Sequence, residues 1–401
     1  MATTLGDRLA ELRLRRSLTQ EQLAEKAGLS VDTIRKLEQN QRMTARMSTL
    51  NKLAWALDVE TSVLLGAPKV LEPRNETEPP SLLALRQAVT PLSGFPGVGD
   101  PEDAPAPTIA QLRDSIRRTE RIRRQGELRK ITALLPTLLT DARAAVREYT
   151  GEDRAAAFAV LAETYQVTAT TLTAFGKEDA AYTALERSMA AAEQSDDPHL
   201  EVIGVSTLSW IFSKQGRITD AENVAVRMAE RIEPGFRSDP IELSLWGILL
   251  LRGASAAVRA ERSDTAEDLL SLAAAAATRV GTDRLDYATP FGPTNAAVAT
   301  VNAYVDMGKP DKALSHAKRI SDVGGIPPTW RARHHLDVAL AYAEMNRDFE
   351  ATRALLAAER TAPEWMRYHS TSRHLVAELR ERERRRSSPI TALAVRLEID
   401  V

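Results

Sequence analysis

Four residues in one short stretch have the chemistry to read the edge of a DNA base. Arg35 and Lys36 can donate to guanine O6 and N7, Asp32 can accept from cytosine N4, and Val31 can meet a thymine methyl. They act together only if a helix presents them on one side, and Ile34 and Leu37 supply the apolar side that such a helix would bury. Ser30 is a good N-cap for it, so its N-terminal half, where base contacts are made, begins at Val31. Thr19 and Gln22 have capping-box spacing for an earlier helix opening at Gln20, whose amide end would face phosphates. Between the two, Gly28 can take the positive φ of a tight turn, and Ala24 is small enough for steeply crossing helices to touch. Leu23, Ala27 and Leu29 complete the apolar set. The run 18–38 therefore predicts a helix-turn-helix. Further on, Arg42 and Arg46 are expected phosphate contacts. A solvated charge is the competing reading for each of these surface residues.

The pattern continues on both sides. Over residues 5–66 the chain resembles the XRE family of phage-repressor-like helix-turn-helix proteins. Leu5, Leu9 and Leu12 match the buried stripe of its first helix, residues 48–59 its fourth helix and residues 60–66 its short fifth. The resemblance implies that Gln20 anchors the DNA backbone, that Val31, Asp32 and Lys36 touch base edges, and that Arg13 and Glu38 form a scaffold salt bridge. Residues 42–47 depart from the family's commoner Arg-x-Pro-Ser by one extra residue.

The whole chain has 401 residues, 43% apolar and 27% charged, with a formal net charge of −2, so two or three globular domains are expected and the molecule is no polycation. Basic character is local: residues 1–66 hold ten Lys/Arg against eight Asp/Glu, a modest excess that suits a site-specific reader better than a DNA coat. No cysteine is present, which excludes disulfides, zinc ribbons and thiol nucleophiles and is compatible with the cytoplasm. The N-terminus enters a charged amphipathic helix directly, so no signal peptide is expected. The most apolar run, Leu245 to Leu251, stops at Arg252, and no membrane partner is expected.

Nine prolines between 67 and 107 predict a semi-stiff linker, with one short docked helix from Ser81 to Val89. From Thr108 the chain is alanine-rich with helical period, and no strand is expected. A turn residue is followed five positions on by alanine and four later by an apolar residue: Gly176/Ala181/Leu185, Gly216/Ala221/Ala225, Glu261/Ala266/Leu270, Gly308/Ala313/Ala317 and Asn346/Ala351/Leu355. This resembles tetratricopeptide hairpins, with longer spacings than usual. The expected fold is all-α: an N-terminal five-helix domain over 1–66, a linker over 67–107, a superhelix of hairpins over 108–386 that also dimerises, and a tail over 387–401.

The tetratricopeptide resemblance implies that the first helix of each hairpin lines a concave surface. Its offsets select Gln166 and Thr170, then Trp210 and Lys214, then Arg259, then Asn295 and Asn302, then Arg333 as effector-binding candidates. Glu163, Thr173, Ser206, Ser213, Ser255 and Asp306 share the same offsets. Asn295 and Asn302, seven apart, would lie on one helix face and hold a peptide backbone through paired amides. Domain order resembles that of the peptide-pheromone receptors of Gram-positive bacteria. That likeness implies double-stranded DNA, a peptide or small-molecule effector and a second copy of the chain as partners. The competing reading is a scaffold whose repeats hold a protein and whose DNA-binding domain localises it. The basic run from Arg113 to Lys130 reads as a solvated helix face.

An enzyme is not expected. The six histidines show no metal-ligand spacing, no cofactor is called for, and the glycines of residues 94–99 lie in the linker, not between a strand and a helix.

Overall fold

Local signals set the first five helices. The computed structural model describes residues 4–42, 44–59, 61–65, 80–91, 105–287, 289–383 and 388–399. Thr4 caps α1 (Leu5–Arg15) and Thr19 caps α2 (Gln20–Ala27), each in a complete capping box; Ser30 caps α3 (Val31–Glu38). Gly28 ends α2 at φ 61°, which turns the chain into α3. Two further helices, α4 (Met47–Ala56) and α5 (Thr61–Leu65), complete the group. Leu9, Leu23, Ile34, Leu37, Leu50, Leu53 and Leu64 are fully buried at its centre.

The next helix, α6 (Pro80–Val89), lies where a docked helix was expected, and it packs on α8 through Leu82, Leu85 and Val89. Most of the remaining linker, including the glycines of residues 94–99, lies outside the described residues. An antiparallel pair, α7 (Ile109–Gln125) and α8 (Leu128–Glu148), then opens the repeats.

Five hairpins follow. They are α9 (Gly151–Ala174) with α10 (Glu178–Ala192), α11 (His199–Lys214) with α12 (Ile218–Arg231), α13 (Pro240–Arg259) with α14 (Ser263–Val280), α15 (Pro293–Asp306) with α16 (Pro310–Ala317), and α17 (Pro328–Glu344) with α18 (Asp348–Thr361). Every turn falls on the residue that the sequence register selects. Gly176, Gly216, Glu261, Gly308 and Asn346 all have φ between 58° and 79°. After each one, the next residue's N–H reaches back five positions to a carbonyl, as Lys177 does to Leu172 and Arg347 to Tyr342, closing the helix end in a Schellman pattern. The alanines five past the turns, Ala181, Ala221, Ala266, Ala313 and Ala351, are all wholly buried where paired helices touch.

Three features depart from the sequence reading. A short antiparallel pair, β1 (Arg284–Asp286) and β2 (Thr289–Phe291), interrupts the helices, with Phe291 fully buried beside Ile248, Ala276 and Ala296. Two-residue alternation over three residues is too short to read. Beyond α19 (Pro363–Tyr368) and α20 (Ser370–Arg382), the expected tail folds as α21 (Pro389–Arg396), capped by Ser388 and buried through Ile390 and Leu393. Finally, α13 is long and apolar enough to cross a membrane, yet it is a core helix packed between α12 and α14.

The stack curls back on itself. Helix α7 packs against α17, and a Cβ on Gly126 would sit 3.2 Å from Thr329 and 3.3 Å from Trp365. The N-terminal helices dock on the other end of the stack, where α4 meets α17 and α5 meets α20, and both groups share one hydrophobic cluster.

Candidate functional site

The exposed face of α3, expected to read DNA, is held by a buried clamp. Arg13 donates from Nε to Glu38 Oε1 at 2.7 Å and from Nη2 to Oε2 at 2.9 Å, tying α1 to the end of α3. Both side chains are largely buried, so this is a bidentate pair of the strong kind. Gln20 joins the clamp: its Nε2 donates to Glu38 Oε2 at 2.7 Å. Its side chain thus has a scaffold contact that the family resemblance did not assign. Asp32, Arg35 and Lys36 are exposed along α3, with Val31 partly buried beside them. Asp32 and Lys36 face each other across one turn at 2.7 Å. Arg42 is exposed.

Arg46 requires a correction. It was expected on a phosphate, but its guanidinium donates to the Asn346 side chain at 2.7 Å and to the Glu344 carbonyl at 3.4 Å. The same corner carries further contacts. Ser48 donates from its N–H at 3.2 Å and its hydroxyl at 3.1 Å to the Glu344 carboxylate, His374 Nε2 lies 2.6 Å from the Ala45 carbonyl, and Thr44 donates to Glu381 at 2.7 Å. Helix α4 has no side-chain cap of its own, so the Glu344 carboxylate supplies one from α17. Thr44, Ala45 and Arg46, within the segment that departs from the family pattern, thus make docking contacts. Burial pushes the His374 imidazole below its ordinary pKa, so it is neutral there.

The docked N-terminal helices border a cavity of about 1520 Å³. Helices α9, α11, α13, α15 and α17 line its wall, and Asn51, Lys52, Trp55 and Val63 of the N-terminal helices contribute to it. Gln166, Thr170, Trp210, Lys214, Arg259, Asn302 and Arg333 all lie on this one surface. Asn295 does not. It is fully buried in the first turn of α15, beside a separate cavity of about 220 Å³ near the β1–β2 pair, and neither amide atom has a partner. A seven-residue spacing keeps two side chains on one face, but the hairpin covers that end of the helix.

Several lining groups carry strong electrostatic signatures. Asn302 donates to Asp337 Oδ1 at 3.2 Å and Arg333 to the same oxygen at 2.9 Å, while Asp337 Oδ2 is buried without a partner. Burial pushes the Asp337 carboxyl upward, against the pull of Arg333. Burial, with Asp197 nearby, raises Glu163 to about 7. Burial lowers Arg252 to about 10, and neighbouring Arg123 adds to that. Tyr287 donates to Asp197 at 2.7 Å and stands 3.1 Å from His199 Nδ1. Arg252, Asp337, Tyr287 and the α4 residues were missed by the repeat offsets. One signal was available for Arg252: it is the single charged residue between Leu245 and Val258. The basic run also divides. Arg113, Arg117, Arg118 and Arg121 are exposed on α7, whereas Arg123 reaches the cavity beside buried Glu120.

Known proteins resemble parts of this arrangement. Residues 9–64 match a helix-turn-helix family model. The immunity repressor protein of Bacillus phage phi105 is 28% identical over 132 residues, 30% of this chain and 91% of the repressor. The crystal structure of Bacillus thuringiensis PlcR in complex with the peptide PapR7 and DNA aligns over 88% of this chain and 99% of that one, at 12% identity and a TM-score of 0.37. The N-terminal region is an XRE-type DNA-binding helix-turn-helix domain.

Proposed function

We propose that this chain is a sequence-specific transcription regulator whose grip on DNA answers to an effector held in the large cavity. One observation carries the reading: DNA-binding helices and repeat helices line the same cavity. An effector shifts an equilibrium only through different affinity for two states. Here the difference is built in, because undocking the N-terminal helices removes Trp55, Lys52 and Asn51 from the cavity wall. The volume of about 1520 Å³ exceeds the ~300–1,000 Å³ of pockets for drug-sized ligands, which favours an extended ligand such as a short peptide. A single helix-turn-helix covers little DNA, so we expect a homodimer, held by the repeats, on two half-sites. Light scattering of the full chain at micromolar concentration checks this; a monomer that binds one half-site tightly overturns it.

The test of sensing starts with an operator selected from random duplex DNA. Its binding is then titrated with fractionated extract of the native host. Extract changes the operator affinity of the wild type, and Asn302→Ala, which removes the amide donor of Asp337, loses most of that response. Identical responses move the site off this wall, and no response in either protein overturns sensing.

A further inference from the structure

Among the described residues, Arg252 is a half-buried cation of the cavity wall that no carboxylate compensates. The Arg252 guanidinium donates from Nε to Ser206 Oγ at 3.3 Å and lies 5.6 Å from the centre of the Trp210 ring. Among the described residues it has no carboxylate partner, and the nearest charge acting on it is another cation, Arg123. A half-buried charge without a counter-ion still carries a desolvation cost, which Met or Leu in the same place in α13 would not. Several other arginines of the wall are paired with carboxylates: Arg123 with Glu120, Arg217 with Asp220 and Arg333 with Asp337. Across α11 from Arg252 stands Gln166, itself buried. Its Nε2 is committed to the Ile203 carbonyl at 3.3 Å and to the Thr207 hydroxyl, which leaves Oε1 an acceptor without a donor. Ser206 and Thr207 are consecutive, so the two unmet demands sit on either flank of one helical turn. One demand is for an anion that can meet the guanidinium fork, the other for an N–H.

We propose that the cavity recognises an N-acylated α-amino acid terminus, with its carboxylate on Arg252 and its amide N–H on Gln166 Oε1. Ser206 orients the guanidinium, and Trp210 offers an apolar wall to the adjoining side chain. The proposal rests on the reading of this cavity as the effector site and names the chemistry of one end of the ligand. Two sources supply that chemistry: the free C-terminus of a short peptide, or a small acylated amino acid.

The experiment uses the full chain and four probes: a random heptapeptide pool with free C-termini, the same pool amidated, a mixture of N-acetyl amino acids, and their amides. Retention is measured by equilibrium dialysis with mass spectrometry. At least one free-acid probe is retained tenfold or more above its amide, and which one identifies the source. Arg252→Gln brings that ratio close to one, and Arg252→Lys, which keeps the charge but loses the planar fork, gives an intermediate ratio. Arg252→Gln melts no lower than wild type, because it removes a half-buried charge that has no counter-ion. Equal retention of acid and amide overturns the carboxylate contact while leaving the cavity a ligand site. A ratio unchanged in Arg252→Gln moves the contact elsewhere. Retention of no probe overturns the proposed ligand class, and the host-extract titration then decides the sensing reading separately.

Discussion

The outer face of α3 and the wall of the large cavity both carry charged side chains, and they handle charge in opposite ways. On α3, Asp32 and Lys36 neutralise each other in full contact with water. Such a pair contributes about 0–1 kcal/mol, so it is readily broken for a base. In the cavity, Arg252 and Glu163 are partly shielded from water without a full partner, and each shifts toward its neutral form. The contrast teaches where each region keeps its specificity. The reading face is cheap to rewire because the buried Arg13–Glu38 clamp fixes its orientation. The cavity leaves polar groups unsatisfied, and on the proposed reading a ligand completes them.

The sharpest way to break the comparison is Asp32→Ala with Lys36→Ala. Each lost base contact costs about 1–3 kcal/mol, so discrimination between operator and random DNA falls by roughly two to four powers of ten. The melting temperature stays close to wild type. Gel-shift affinity that remains unchanged would place the reading residues elsewhere. Arg13→Ala should do the reverse: it strands Glu38 and lowers the stability of the N-terminal helices by about 3 kcal/mol, read from their thermal unfolding.

The two regions were also unequally legible. Helix-turn-helix chemistry is local: caps, a turn glycine and apolar positions within about twenty residues fix α2 and α3, and all of them fall where the spacing puts them. The hairpin register was equally plain, because a left-handed turn residue and a close-packed alanine are both local demands. What sequence could not show was which surfaces meet. The Arg46 contact to Asn346, the Glu344 cap on α4 and the meeting of α7 with α17 each join residues hundreds of positions apart or nearly so. Asn295 failed for a different reason: the β1–β2 pair just before α15, too short to read in the sequence, covers that end of the helix. Arg252 was read as the end of an apolar run, when it was the polar residue that run was carrying.

Acidity probes the cavity side. Glu163 and Glu378 are both raised to about 7, mainly by burial, above the ordinary value of 4.5. Between those values the folded chain binds more protons than the unfolded one, so stability falls as pH rises. Their stabilisation is fully present below about 4.5 and lost through about 7, on the order of 3 kcal/mol each before solvent screening. Burial lowers His334 to about 4 and lowers His374 too, which opposes this at the acid end, because charging them costs stability as pH falls. Denaturant titrations of Glu163→Gln and wild type from pH 5 to 8 check the sign: the variant has the flatter profile. Parallel profiles would remove Glu163 from the account.

Docking lies between the two regions and should respond more weakly. Glu344→Ala removes the carboxylate that caps α4, a loss of about 1–2 kcal/mol. Hydrogen exchange at Met47, Ser48 and Thr49 should accelerate roughly tenfold while the α9 and α11 amides keep their protection. Unchanged exchange at α4 would mean that the N-terminal helices are held by their apolar contacts alone.

The smallest effect tests whether a turn serves only its own hairpin. Glu261 and Asn346 occupy equivalent turns at φ 58°, a conformation that costs a side chain with a Cβ but not glycine. Glu261 is exposed, and its turn is closed by backbone bonds from Glu261 to Val258 and from Arg262 to Ala257. Glu261→Gly should therefore stabilise the chain by about 0.5–1 kcal/mol, the strain relieved less the entropy that glycine adds to the unfolded state. Asn346→Gly relieves the same strain but also deletes the Oδ1 atom that accepts from Arg46. A neutral hydrogen bond to a charged donor contributes about 1.5–3 kcal/mol when buried and less at this exposed edge, so the two terms nearly cancel. The expected pattern is a gain in melting temperature for Glu261→Gly and little or none for Asn346→Gly, with faster exchange at α4 only in the second. Equal gains, with α4 exchange unchanged in both, would show that Asn346 serves its hairpin alone and that the Arg46 contact contributes nothing to holding the DNA-binding helices against the repeats.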